Sequence, residues 1–367
     1  MTTTLSGTIL TDAGWCRGRL AFDRAIEAIR LDAAAPSDRL LLPGFVDLHV
    51  HGGDGADCME GEDAVRHLAG FHARHGTTSL LATTVTAPAA DIERAFTGIG
   101  RAARVGAGAR ARVLGAHLEG PFINPKRLGA QPPYTIPPDP ALVERLHGLA
   151  PIRVATVAPE LDPGHALVAR LTALGCRVQI GHSDADAEQA QAALLAGCSG
   201  VTHLFNAMSP FSHRAPGVVG AAFAGAHHAE IIADLIHVDP IAIRLALRAI
   251  PGLYVVTDAV AAAGRPPGRY RLGRHEILTD GRSARLADGT LAGSVLTMDQ
   301  ALLNLTGPLG LGIAEASRRL SAIAARYLGE DRLGRLAPGA HADIVALDPG
   351  GRLLGVWIAG EEVDLGS

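Results

Sequence analysis

From residue 43 to residue 334, short apolar runs alternate with longer Ala/Leu-rich stretches, the pattern that parallel β-α units leave in a sequence. The apolar runs fall at 44–51, 77–84, 112–119, 152–158, 176–182, 200–203, 229–234 and 253–258, which makes eight. Helical stretches follow most of them, at 62–75, 90–104, 141–149, 165–174, 186–196 and 240–250. Eight strands with outer helices over roughly 250 residues predict a closed, TIM-like (β/α)8 barrel.

Both ends of the chain depart from this rhythm. Residues 1–42 read as short strands, at 5–10 and 19–29, separated by the turn signal Asp12-Ala13-Gly14-Trp15. The C-terminus repeats the style, with runs at 342–348 and 353–358 around a Pro349-Gly350-Gly351 turn. Neither end holds enough strands for a stable sheet, so the two are expected to pair. The predicted organisation is a small β-sandwich domain from 1–42 plus 335–367 beside a barrel of 43–334. Within the barrel, Gly264-Arg265-Pro266-Pro267-Gly268 and Ala287-Asp288-Gly289-Thr290 mark a hairpin-like insertion over the mouth. Helices at 297–305 and 313–328 then close the ring.

Composition narrows the functional classes. With 367 residues, 48% hydrophobic and 19% charged, the chain can bury a large core and is not disordered. A net charge of -4 supplies no broad field for nucleic acid or an anionic membrane, so a small anionic ligand needs a local cationic pocket. No apolar stretch reaches the roughly 18–20 residues of a membrane span. Cys16, Cys58, Cys176 and Cys198 form no CxxC pair, and Met1-Thr2-Thr3-Thr4 does not open a signal peptide. A cytoplasmic protein with reduced thiols is expected.

The candidate chemistry sits at the strand ends. His49 and His51 close the first run, and their i, i+2 spacing puts both imidazoles on one face. Glu119 ends the third run, His182 the fifth, His203 the sixth and Asp258 the eighth. In a barrel these ends converge on one face, where four histidines and two carboxylates can hold one or two divalent ions. His117 and Asp47 share faces with these groups one layer deeper, which suggests packing or orientation of an imidazole. Cys58 reads as a packed thiol. The other histidines, at 67, 72, 75, 147, 165, 213, 227, 228, 275 and 341, read as surface or packing residues.

These motifs resemble the amidohydrolase superfamily and, within it, the N-acetylglucosamine-6-phosphate deacetylases. The resemblance rests on Pro43-Gly44-Phe45-Val46-Asp47-Leu48-His49-Val50-His51-Gly52, His117-Leu118-Glu119-Gly120-Pro121-Phe122 and Gly181-His182-Ser183-Asp184-Ala185. It continues through Thr202-His203-Leu204-Phe205-Asn206-Ala207-Met208, Asp234-Leu235-Ile236-His237-Val238-Asp239-Pro240, Thr257-Asp258-Ala259 and Leu291-Ala292-Gly293-Ser294. It implies that Glu119, His182 and His203 hold a hydrolytic metal, zinc first with iron or another divalent ion as the alternative, and that His49 and His51 leave room for a second ion, one or two per subunit. Asp258 is then the general base and acid. Ala130, Gln131, Asn206, Ala207, Arg214, His237, Leu291, Ala292 and Gly293 match positions that contact the sugar phosphate. The implied reaction removes the acetyl group of N-acetyl-D-glucosamine 6-phosphate in a homodimer whose phosphate pocket draws on the neighbouring subunit. Alternatives are the galactosamine 6-phosphate epimer, a cyclic amidase, which Glu119 disfavours because such relatives carry a modified lysine there, and a metal-free sugar-phosphate sensor. Gln131 departs from the family, many of whose members carry histidine at that position.

Overall fold

The first two barrel strands, Phe45–Val50 and Thr77–Thr84, are buried along their whole length, as strands covered on both faces must be. In the computed structural model, which describes residues 2–106 and 108–366, they open a parallel sheet. Arg112–Glu119, Ile152–Val157, Arg177–Ile180 and Cys198–Val201 follow in order. His228–Ile232 and Gly252–Val256 form a parallel pair. That pair completes the ring on both sides: the Leu204 N–H donates to the Glu230 carbonyl at 2.9 Å, and Val50 bridges Ala259. All eight strands fall within a residue or two of the apolar runs.

The outer helices follow their capping signals. Asp139 and Asp239 cap Pro140–Leu149 and Pro240–Ala249, each with proline in the first turn. Asp186 and Gln189 form a capping box on Ala187–Ala196. The sequence pattern missed the helix Gly217–Gly225, since Gly-Val-Val-Gly-Ala-Ala-Phe-Ala-Gly has no polar face and no side-chain cap to reveal it. The long helix expected at 313–328 is two helices, Ile313–Leu320 and Ala322–Leu328. They break at buried Ser321, whose Oγ turns back to the Ser317 carbonyl.

Both chain ends join in one seven-stranded sheet that includes Thr3–Thr11, Gly14–Phe22, Ile26–Leu31 and Leu40–Pro43 from the front and Ile344–Leu347 and Leu353–Ile358 from the back. The single run expected at 19–29 is broken near Asp23, so its second half forms a separate strand. The sheet doubles over: Ile26 exchanges backbone bonds with Gly339 and Ala340. Its inner face thereby encloses Ile9, Leu20, Phe22, Ile344 and Trp357 in their own core. Met1 and Ser367, the outer limits of the expected terminal unit, lie outside the described residues.

Two features tie this sheet to the barrel. The chain passes from Leu40–Pro43 into the first barrel strand through Gly44, where any side chain would collide with Thr78. Arg112 at the foot of the third strand donates to buried Asp343 at 2.8 Å, and Asp343 also accepts the Ala359 N–H. At the opposite face, the insertion is a three-stranded antiparallel sheet of Gly268–Leu272, His275–Thr279 and Ala284–Arg285. It is pinned by the Gly273 N–H, which donates to Asp57 at 2.6 Å.

Replacing Arg112 by Leu leaves the Asp343 carboxylate buried without its ion-pair partner and is expected to cost roughly 3 kcal/mol in urea unfolding. The double variant R112L/D343N should recover part of that loss. Buried His72, on helix Glu62–Arg74, bonds through Nε2 to the Gly52 carbonyl and so fixes the turn after His51. Burial pushes its pKa down from 6.5 to about 4. The unfolded chain therefore takes up the proton first, and stability contributed by neutral His72 is lost as pH falls from 6.5 towards 4, by about 3 kcal/mol. Urea titrations across that window should show the loss, with a shallower slope for His72→Gln.

Candidate metal centre

Strand alternation and ring closure set the geometry of this site. His49 near the end of Phe45–Val50 and His51 just past it turn their rings to the same centre, and Glu119 is the last residue of its strand. His182, His203 and Asp258 each lie two residues past a strand end, in the left-handed region with φ of 48°, 27° and 51°. Such backbone costs a non-glycine residue roughly 1 kcal/mol and persists where neighbours hold it. The neighbours here are strong: the Asn124 N–H donates to the His182 carbonyl, and Asp258 accepts from Ser294 N–H while donating its own N–H to the His49 carbonyl, all at 2.8–2.9 Å. The left-handed kink turns each side chain off the strand direction and over the ring.

The ligand atoms form two groups that share Glu119. His182 Nε2 and His203 Nε2 lie 3.1 and 3.0 Å from Glu119 Oε1 and 3.1 Å from each other. His49 Nε2, His51 Nε2 and Asp258 Oδ1 are mutually separated by 3.3–3.4 Å. Glu119 Oε2 is 3.2 Å from His51 Nε2, and Glu119 Oε1 is 3.5 Å from His49 Nε2. These spacings suit donors arranged about ions held at roughly 2.0–2.2 Å.

Hydrogen bonds on the far ring nitrogens test whether these residues fit a metal. His51 Nδ1 lies 3.0 Å from the Thr83 carbonyl and His182 Nδ1 lies 2.8 Å from the Arg127 carbonyl. A carbonyl only accepts, so each Nδ1 carries the proton and each Nε2 of the neutral ring presents a lone pair. His49 Nδ1 faces the Glu230 carboxylate at 2.9 Å with the same result. With both rings neutral, His49 and His51 aim two acceptors at each other across 3.3 Å, a contact that a proton on either ring or a metal ion beside them resolves. The fit is good, and it is the outer support that metal-binding imidazoles ordinarily have.

Electrostatics point the same way. Burial opposes charge on His49 and His51, yet Asp258 and Glu119, joined at His49 by Glu230, outweigh it, raising His49 well above its usual range and His51 to about 9. Burial likewise opposes ionisation of Glu119 and Asp258, but the surrounding imidazoles hold Glu119 well below the usual carboxylate range and Asp258 at about 2. The cluster demands positive charge, and a divalent ion entering it would displace protons from the imidazoles.

A polar layer beneath the centre supports it. Glu230, fully buried on the seventh strand, accepts from His49 and from the His203 N–H at 3.3 Å, and so touches both groups. Its other oxygen accepts from Tyr254 at 3.2 Å, and Tyr254 accepts from Gln179 at 2.7 Å. Sequence reasoning missed Glu230, which lies ahead of the motif that begins at Asp234; a carboxylate inside an apolar strand is the signal that was available. His117 packs its ring 4.5 Å from that of His49 and bonds the Leu48 carbonyl and Thr156, with burial pushing its pKa down to about 3. Asp47 orients no imidazole: it accepts from Thr257 Oγ1 at 2.6 Å and holds the eighth strand to the first. Cys58 is packed, its thiol donating to the Thr83 carbonyl and pushed up by burial.

Above the two groups lies a cavity of about 200 Å³. Ala130, Gln131, Asn206, Ala207, His237, Leu291 and Gly293 line it together with His51, Glu119, His182, His203 and Asp258. Ala292 is buried behind the wall. Arg214 is exposed and stands outside the lining, because its loop runs out over the surface before Gly217–Gly225. His237 Nδ1 bonds Asp234 at 2.7 Å, which leaves Nε2 for the cavity. Leu272 and Thr290, from the inserted segment, complete the rim.

Comparison with known proteins agrees with this architecture. The chain is 40% identical over 330 residues to the N-acetylglucosamine-6-phosphate deacetylase of Lysinibacillus sphaericus, covering 88% of this chain and 85% of that one. It is 39% identical over 365 residues to the N-acetylgalactosamine-6-phosphate deacetylase of Escherichia coli O157:H7, covering 96% and 97%. The crystal structure of N-acetyl-D-glucosamine-6-phosphate deacetylase from Mycobacterium smegmatis superposes with a TM-score of 0.91 at 34% identity, covering 99% of this chain and 100% of that one. The amidohydrolase family model matches residues 40–363. With its two imidazole groups sharing one carboxylate at the mouth of the ring, the chain belongs to the amidohydrolase family.

Proposed function

We propose that this protein hydrolyses the N-acetyl group of N-acetyl-D-glucosamine 6-phosphate, releasing D-glucosamine 6-phosphate and acetate. The observation that carries the reading is Asp258 Oδ1 within 3.3–3.4 Å of His51 and His49, on the floor of a cavity that also exposes Glu119, His182 and His203. In this reading Glu119, His182 and His203 hold one divalent ion, and His49 and His51 hold a second. The mixed imidazole and carboxylate set suits zinc first and iron as the alternative. When bound, such an ion polarises a carbonyl and brings the pKa of water towards about 7.

The protein's own groups do the rest. Asp258, held ionised by the imidazoles beside it, accepts the proton of the attacking water and then delivers it to the departing amine nitrogen. His237, its Nδ1 fixed by Asp234, turns Nε2 to the cavity, where it can accept from a sugar hydroxyl. Gly293 and Leu291 bring backbone groups to the wall, where hydroxyls can be bonded without a side chain intervening. Among the described residues lining the cavity there is no arginine or lysine, so a substrate phosphate must meet its cation beyond the wall. Arg214 is the candidate, in its own subunit or across a homodimer interface, and a cytoplasmic location suits a sugar-phosphate substrate. Among the described residues, no helix is long and apolar enough to cross a membrane.

A second reading is the galactosamine epimer. It is favoured by 39% identity to an N-acetylgalactosamine-6-phosphate deacetylase over 97% of that protein. Acetate release measured on both 6-phosphates should be faster on the glucosamine substrate; a preference for the galactosamine epimer would transfer the assignment. Asp258→Asn should leave the Glu119, His182 and His203 ion bound by elemental analysis while kcat falls by about 100- to 10,000-fold. Near-normal turnover in that variant would remove Asp258 from its assigned role.

A further inference from the structure

Gln131 occupies the cavity wall but is only 5% exposed, and both ends of its amide are already engaged by the protein. The Thr86 N–H donates to Oε1 at 2.7 Å. A backbone amide can only donate there, so the orientation of the side-chain amide follows: oxygen towards Thr86, NH2 towards the other side. The NH2 donates to Glu119 Oε2. Both anchors are rigid, since Thr86 is buried and a side chain on Gly120, the residue after Glu119, would collide with it.

Carboxylate rotation is the quantity at stake. The terminal torsion of a glutamate is soft, with no steep preference of its own. Yet the two oxygens of Glu119 face different sets of partners: Oε1 lies 3.0–3.1 Å from His203 and His182 and 3.5 Å from His49, and Oε2 lies 3.2 Å from His51. We infer that Gln131 is a positioning residue that locks the Glu119 carboxylate in the rotation shared between the two imidazole groups, and thereby sets the affinity of the second divalent ion. A carboxylate oxygen has two lone pairs, so Oε2 can accept from Gln131 and still face an ion. This assigns Gln131 a role distinct from sugar contact, and it rests on the metal reading of the centre given above.

Zinc binding decides the matter without substrate. Metal-stripped protein is titrated with zinc against a chromophoric chelator, for wild type and for Gln131→Leu. Wild type should take two ions per chain, and the variant should keep the first affinity within about threefold while the second weakens about 10- to 100-fold. If Gln131→Leu lowers the melting temperature, Gln131→Met, which fills similar volume without either polar end, is titrated in its place. Unchanged affinity for both ions, with KM raised and kcat intact, would make Gln131 a sugar contact and overturn the inference. A wild-type protein that takes a single ion would overturn it too. Failure to release acetate from any sugar phosphate would sink the function proposed above while leaving these ion affinities to stand on their own.

Discussion

Glu119 is the constraint on which the structure depends. One buried carboxylate, 1% exposed, is shared by four imidazoles whose inner nitrogens crowd within 3.5 Å of its oxygens. Lone pairs at that spacing repel in a medium where charges are poorly screened, unless positive charge sits among them. The cluster therefore holds together when protons or a metal ion supply that charge, and the surrounding fold can be understood as what keeps those side chains from moving apart.

That confinement is built in layers. The closed ring brings ends of strands far apart in sequence to a common mouth. Three of the four imidazoles, those of His51, His182 and His49, are held from behind by the carbonyls of Thr83 and Arg127 and by the Glu230 carboxylate. Glu230 is in turn tied through Tyr254 to Gln179, so the support spans four strands of the ring. Buried polar chains of this kind are costly when half satisfied and rigid when complete. Asp47 adds the seam: by binding Thr257 it registers the eighth strand against the first, which places Asp258 opposite His49 and His51.

The mouth is finished by segments outside the regular β-α rhythm. The inserted three-stranded sheet contributes Leu272 to the rim, and the chain leaving it contributes Thr290, Leu291 and Gly293. The wall is thus assembled from backbone and small side chains on one side and imidazoles on the other. At the far face the terminal sheet fastens to the foot of the third strand through Arg112 and Asp343, so the strand that carries Glu119 is anchored at its base. The end that carries the imidazole cluster and the end fastened to the terminal sheet share that element.

Much of this was legible in the residue pattern. Apolar runs and the Ala/Leu-rich stretches between them located eight strands and most helices, because burial on both faces and helical periodicity act locally. The i, i+2 spacing of His49 and His51 and the placing of Glu119, His182, His203 and Asp258 at run ends pointed to one centre, since ring topology makes strand ends neighbours. The helix Gly217–Gly225 could not be read, as glycine-rich apolar sequence becomes helical only through packing. Nor could the partners of Glu230, Asp47 and Gln131, or the position of Arg214 outside the wall. Hydrogen bonds between residues separated by dozens to hundreds of positions depend on register and side-chain rotation, and only the closed ring decides which groups come within 3 Å of one another.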